Sequence, residues 1–326
     1  MRPSLNLSSN DGFVVSNAFP AGFQGIQLQG ASVTTAVHQQ IGTIVQQELP
    51  GRQFNLIFSV FNFLQPFNLA AVHTSSFVTS FLAIKNACRI TCREMSPSNL
   101  LQGQFIILHS NAQEVVMVFD KAGVYHLLEV NWLENMVAEF IPSFTLLKPM
   151  QETKNLSRSF YITPFSKPAG FRTLGMAHAL LRFPHKDASA LYLFEHKIKE
   201  YLLSLLIAAE KVSGTEKHIN MVDSNKIQIL YEQLRDCPGK RFPISELARS
   251  ANMSEKKLKK LFAQVFDISI FEFHLQSRMQ ASHRMLEEGA LNTKEIASMV
   301  GYQLTTSFIT RFREFFGYPP SEVKKT

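Results

Sequence analysis

Four lysines stand at positions 256, 257, 259 and 260, inside the stretch MSEKKLKKLFAQVF (253–266). Ammonium groups this close together suit the attraction of a polyanion, and on an exposed helix they serve solubility equally well. Ser254 is a good N-cap, and Leu258, Leu261, Phe262 and Val265 recur at i, i+3, i+4, i+7. The segment therefore reads as an amphipathic helix with its apolar stripe turned inward and Lys256, Lys259 and Lys260 off that stripe. Taken alone, these residues leave both readings open.

Other chemistry-bearing residues are scattered. His38, His73, His109 and His126 stand singly, without the paired spacing of a metal-binding barrel, and a lone histidine is usually a structural group. Cys88 and Cys92 are spaced as a redox pair or half of a metal site, but no second cluster completes one. The sequence contains no P-loop, no GxSxG and no GxGxxG with an acidic residue at dinucleotide-binding spacing. No catalytic residue, metal site or cofactor is expected.

The charge of +7, with a pI near 9.3, tilts toward an anionic partner. Residues 214–326 carry 17 Lys and Arg against 13 Asp and Glu, a net +4, which leaves +3 for the rest. Three cysteines are too few for a disulfide framework, and the opening MRPSLNLSSNDGF is too polar for a leader. A cytoplasmic, reducing compartment fits. The longest apolar run, YLLSLLIAA (201–209), is far below the roughly 20 residues of a spanning helix, so no membrane partner is expected.

These residues need elements to position them. From residue 13 to about 145 the chain is phenylalanine-rich, with strand-like runs FNLIFSVFNF (54–63), QFIILHS (104–110) and EVVMVFD (114–120), separated by the turn sequences ELPGRQ, SPSN and KAG. Short strands at this spacing predict an all-β sandwich or barrel. After TPFSKPAGF (163–171) the period becomes helical. Residues 187–211 place Leu191, Phe194, Ile198, Tyr201, Leu202, Leu205 and Ala209 on one stripe. That stripe is either a subunit interface or a face packed on its own β domain. KVSGTEKHINMV (211–222) reads as a linker, with Asp223 as the N-cap of the next helix.

The last third of the chain repeats itself. ELARSANM (246–253) matches EIASMVGY (295–302) at an offset of 49, pairing Glu246 with Glu295, Ala248 with Ala297 and Met253 with Tyr302. The following helices match at an offset of 50, pairing Leu258 with Phe308, Phe262 with Phe312 and Phe266 with Phe316. Each copy reads as a short helix, a tight turn and a longer helix, the geometry of a helix-turn-helix that lays its second helix in a major groove. Between the copies, residues 268–289 form a helix whose face is marked by Phe271, Leu275, Arg278, Met279, Ser282 and Leu286, ended by Gly289. Two reading helices on such a strut would reach adjacent major-groove segments about 34 Å apart.

Residues from about 225 to 324 resemble the DNA-binding domain of the AraC/XylS family of bacterial transcriptional regulators. The resemblance is carried by ISELARSANMSEKKLKKLFAQVF, RMQASHRML, TKEIASMVGY and FITRFREFFGYPPSEV. It implies that Lys256, Lys259 and Lys260 form the reading face of the first recognition helix, and that Thr305, Thr306 and Thr310 form that of the second. The family usually has arginine where Thr310 stands, and threonine cannot make the bidentate guanine contact. Arg311 and Arg313 are then expected at phosphates. The implied fold class is α+β. Residues 1–165 would be a β-rich, cupin-like barrel sensing a small-molecule effector, 166–212 a helical segment available for dimerisation, and 213–326 an all-α double helix-turn-helix domain. The implied partners are double-stranded DNA, RNA polymerase, a small-molecule effector and a second copy of the chain, at the nucleoid in the cytoplasm. The alternative reading is a cupin-like metabolite enzyme carrying a DNA-binding domain.

Overall fold

The computed structural model describes residues 4–5, 12–72, 76–92, 95–111, 114–152, 158–183, 188–210, 221–266 and 268–323. Its first half is built of antiparallel strands in two sheets. One runs β1 (Ser4–Leu5), β6 (Phe67–Val72), β11 (Glu114–Phe119), β8 (Cys88–Cys92), β9 (Ser98–Leu100). The other runs β13 (Phe160–Tyr161), β10 (Gln104–Asn111), β7 (Ser76–Lys85), β12 (Gly123–Trp132), β5 (Phe54–Phe63), β4 (Gly42–Pro50), β3 (Ser32–His38), β2 (Val14–Ser16), with β14 (Lys167–Pro168) also on β10. Of the expected sandwich or barrel, the described residues show two antiparallel sheets.

A shared core lies between the sheets. Phe61, Phe63, Phe81 and Tyr125 from the larger meet Leu69, Ile90, Met117 and Phe119 from the smaller. Phenylalanine fills this space by ring-on-ring contact, as in Phe61–Phe119 and Phe63–Phe119, both with centroids 4.8 Å apart. The larger sheet also buries its other face, so β5 is covered on both sides and reads as a nearly unbroken apolar run.

The helices are α1 (Glu134–Ala138), α2 (Pro149–Glu152), α3 (Phe171–Leu181), α4 (Ala188–Glu210), α5 (Met221–Asp236), α6 (Ile244–Ser250), α7 (Glu255–Phe266), α8 (Ile270–Glu288), α9 (Thr293–Met299) and α10 (Thr305–Phe316). The chain divides into two compact units. Met1–Ala169 with Leu180–Glu210 form the first, and Gly170–Ala179 with Lys211–Thr326 the second. Residues 166–212 are therefore shared between the units instead of forming a segment of their own. Ser254 caps α7 by accepting from the Lys257 N–H. Asp223 lies inside the first turn of α5 instead of at its N-cap, where its charge still suits the helix dipole. Most of the expected linker, 211–220, is outside the described residues.

α4 settles its own alternatives. Phe194, Ile198, Tyr201, Leu202 and Leu205 are fully buried within the first unit, with Phe194 against Phe54 and Tyr201 against Trp132. The stripe is core, and not a face open to a second copy. Leu191, expected on it, is exposed at the edge. Ile198→Glu should unfold the first unit rather than dissociate an assembly, because a buried unpaired carboxylate costs several kcal/mol against a typical stability of about 5–15 kcal/mol. Circular dichroism and size-exclusion chromatography of the variant check this; a folded protein of smaller assembly state would contradict it.

Candidate nucleic-acid interface

The second unit repeats in its hydrogen bonds as well as in its letters. In the first turn, Ala251 N–H donates to Leu247 O, Asn252 to Arg249 O and Met253 to Ala248 O, at 3.1, 3.0 and 2.9 Å. In the second, Val300 donates to Ile296 O, Gly301 to Ser298 O and Tyr302 to Ala297 O, at 3.0, 2.9 and 2.8 Å. Every pair is offset by 49. The left-handed residue repeats too, Asn252 at φ 52° matching Gly301 at φ 81°, and asparagine and glycine are the residues that adopt it most readily. One residue more then separates turn from helix in the second copy: Leu258 N–H bonds Ser254 O, and Phe308 N–H bonds Leu304 O, at an offset of 50.

The two reading helices start differently. α7 opens with the Ser254 cap and Glu255 in its first turn. α10 follows the exposed Leu304, has no side-chain cap and no acid in its first turn. Its leading N–H groups therefore lack a side-chain acceptor and are suited to a phosphate.

At 3.6 residues per turn, Lys256 and Lys260 lie centrally on the outer face of α7, opposite the buried Leu258 and Phe262. Neither makes an ion pair with any described residue. Lys259 flanks them, 3.8 Å from Glu255, and Lys257 is held at 2.8 Å by Asp223 of α5. On α10, Phe308, Phe312, Phe315 and Phe316 are buried, while Thr306 and Thr310 are exposed. Thr305 does not share that face. It is half-buried and occupies the position of Glu255 in the first copy, since the offset of 50 pairs Lys256 with Thr306 and Lys260 with Thr310. Ser307, which was not singled out from the sequence, is exposed beside Thr306. Arg311 is exposed and pairs with Glu314 at 2.7 Å; Arg313 is exposed and pairs with no described residue.

α8 joins the motifs, capped by Ser269 at its start and ended by Gly289 at φ 68°. Its burial spreads around several sides, through Ile270, Phe273, Gln276, Met279, Ser282, His283 and Leu286. Phe271, expected on the same face as Leu275, Met279 and Leu286, is 78% exposed, while α5, α7 and α9 pack against the strut. Tyr231 of α5 stacks on both Phe266 and Phe273, at 4.3 and 4.2 Å, tying the first motif to the strut. Arg278 ties the second: its Nε donates to Val300 O at 2.5 Å and its guanidinium lies 4.1 Å over the Tyr302 ring. His283 packs on Phe312 and Phe316 and hydrogen-bonds Tyr318 at 2.9 Å. α3 also belongs here, with His178 edge-on to Phe316 at 4.6 Å.

Elsewhere, Ser76, His109 and Glu134 converge in the first unit. Ser76 Oγ donates to Glu134 Oε1 at 2.5 Å, and His109 Nε2 lies 2.7 Å from that same oxygen and 3.1 Å from Ser76 Oγ. A Ser-His-acid relay needs the acid on the opposite ring nitrogen, and His109 Nδ1 is buried without a hydrogen-bond partner among the described residues. The cluster is a latch. Cys88 and Cys92 are buried on one face of β8, about 13 Å apart along the strand, with burial pushing their thiols up to about 12 and about 11. They are neither bonded to each other nor available as thiolates at neutral pH. His38 is structural: its Nδ1 accepts from the backbone of Gln40 and Ile41. His73 lies outside the described residues.

Arg278→Lys should loosen the second motif alone, since lysine keeps the charge and loses both the planar stack and the directed Nε–H bond. A loss of about 1–3 kcal/mol is expected for the stranded Val300 carbonyl. Hydrogen exchange should quicken at Gly301 and Tyr302 and stay unchanged at Asn252 and Met253; equal changes in both turns would contradict the assignment.

Residues 247–326 match the family model described as a helix-turn-helix domain. The Msm operon regulatory protein of Streptococcus mutans is 32% identical over 128 residues, 39% of this chain and 42% of that protein. The RCS-specific HTH-type transcriptional activator RclR of Escherichia coli is 28% identical over 113 residues, 34% and 40% of the two chains. Both matches span less than half of the relative's own length. Among solved structures, the C-terminal domain of the response regulator yesN from Fusobacterium nucleatum is 27% identical, covering 31% of this chain and 96% of that one, with a TM-score of 0.28. The repeated turns and the matched family model agree on the same segment: residues 247–326 are a helix-turn-helix domain of the AraC type.

Proposed function

We propose that this chain is a sequence-specific, DNA-binding transcriptional regulator, with α7 and α10 entering two adjacent major-groove segments of one duplex. The observation that carries this reading is the pairing of the two turns, hydrogen bond for hydrogen bond, on either side of one helical strut in the sequence. The printed descriptions of the relatives, an operon regulatory protein and a transcriptional activator, support it. In this reading the first unit, cupin-like in role, senses a small molecule. RNA polymerase and a second copy of the chain are its partners, the second copy meeting a surface other than the buried stripe of α4. Its place is the cytoplasm, at the nucleoid. No helix among the described residues is long and apolar enough to cross a membrane.

The two reading helices divide the work. Lys256 and Lys260, central and without an ion pair among the described residues, bring charge that serves phosphates and guanine O6/N7 alike, with Lys259 beside them. α10 brings uncapped N–H groups, the hydroxyls of Thr306, Ser307 and Thr310, and Arg313, which set register through phosphates and thymine methyls. Arg311 contributes less, because Glu314 already holds its charge.

Affinity for duplex DNA should fall steeply with salt, by about 0.9 in logarithmic slope for each phosphate neutralised. Lys256→Ala or Lys260→Ala should cost about 1–3 kcal/mol on the preferred site, and Thr306→Ala or Thr310→Ala less. Fluorescence anisotropy at several salt concentrations checks this. A flat salt response, or a second-motif threonine outweighing both lysines, would overturn the division.

A further inference from the structure

A cavity of about 460 Å³ opens in the first unit between α4, α1 and the turn joining β4 to β5. Its volume falls within the range of small-molecule sites, about 300–1,000 Å³. Phe54 and Met136 form an apolar floor, with Phe54 backed by Phe194 at 5.8 Å. Two cations stand in its wall, each held in place. Arg52 donates through Nη2 to Tyr192 Oη at 3.0 Å and lies 4.9 Å over the Tyr192 ring, while Lys199 is fixed at 2.6 Å by Glu139.

Glu195 also lines the cavity, and its Oε1 is buried without a hydrogen-bond partner among the described residues. Arg52 Nε is 3.8 Å from that oxygen, close enough to balance its charge and too far to donate to it. What this oxygen lacks is a donor rather than another positive charge, and a buried acceptor left without one is costly. Arg52 keeps donors to spare, in the fork geometry that matches a carboxylate.

We propose that this cavity binds a small hydroxycarboxylate with an apolar body. Its carboxylate meets Arg52 and Lys199, its neighbouring hydroxyl donates to Glu195 Oε1, and its apolar part rests on Phe54 and Met136. The proposal rests on the sensing role assigned above to the first unit and names the ligand class for it.

Mandelate carries all three features, phenylacetate lacks the hydroxyl, and 1-phenylethane-1,2-diol lacks the carboxylate. Isothermal titration of the full chain should show mandelate binding about tenfold tighter than either, the worth of one good polar contact. Arg52→Leu should remove the advantage over the diol, and Glu195→Leu the advantage over phenylacetate, with circular dichroism confirming that each variant is folded. Absence of mandelate binding, or binding unchanged in both folded variants, would overturn the site. Duplex DNA binding by the same preparation separates the two readings. A chain that binds DNA and not mandelate loses the site alone; one that binds mandelate through Arg52 and binds no DNA keeps the site and loses the regulator.

Discussion

Arg278 reaches from the middle of α8 into the turn of the second motif, and the placement of α10 depends on it. Its guanidinium spends one donor on the Val300 carbonyl and its flat face on Tyr302. That turn is crowded enough to have little alternative: a Cβ on Gly301 would come within 3.0 Å of Gly239 O, and one on Gly239 within 1.9 Å of Met299 O. The loop after α5 and the second turn thus meet at backbone contact, and the strut reaches the turn through the Arg278 side chain. At the other end, the Tyr231 sandwich fixes the first motif by ring stacking. Two reading helices separated by about 50 residues of sequence therefore hold one spacing, because a single helix carries the anchor for each.

The symmetry of the backbone is not matched by the chemistry presented on it. Where the first copy shows lysine at 256 and 260, the second shows threonine at 306 and 310. The first helix is closed at its start by serine and an acid, the second left open. Charge on one side and open N–H groups on the other are two ways to meet the same polyanion. Asp223 trims the first face by taking Lys257, and Glu314 trims the second by taking Arg311. What remains is a focused pair of lysines against a dispersed set of hydroxyls and amides, the asymmetry on which the proposed division between base reading and alignment rests.

Much of this was legible in the sequence because it is local or repeated. β5 falls on 54–63, as its phenylalanine-rich run suggests, and α4 on 188–210, where apolar residues recur at threes and fours. The offset of 49 followed by 50 reappears in the hydrogen bonds because the same turn needs the same backbone. The illegible parts are long-range. Periodicity gives a strand's faces and not its neighbours, so two sheets could not be told from one barrel. Phe271 was misplaced because a strut buried on several sides has no single stripe, and Thr305 because it is the counterpart of Glu255, the helix-opening residue about 100° away from the face of Thr306. The partners of Lys257 and Arg278 lie 34 and 22 residues away, beyond any local pattern, as does the convergence of Arg52 with Tyr192 and Glu195 on one cavity.

The central claim is that one chain holds two reading helices at a fixed spacing on α8. Hydroxyl-radical footprinting of the full-length protein on its preferred duplex tests it most directly. The account predicts two protected windows on one face of the DNA, centred about one helical turn, or 10–10.5 base pairs, apart, both present at protein concentrations that occupy a single site. One protected window, or two whose separation varies between binding sites, would contradict it.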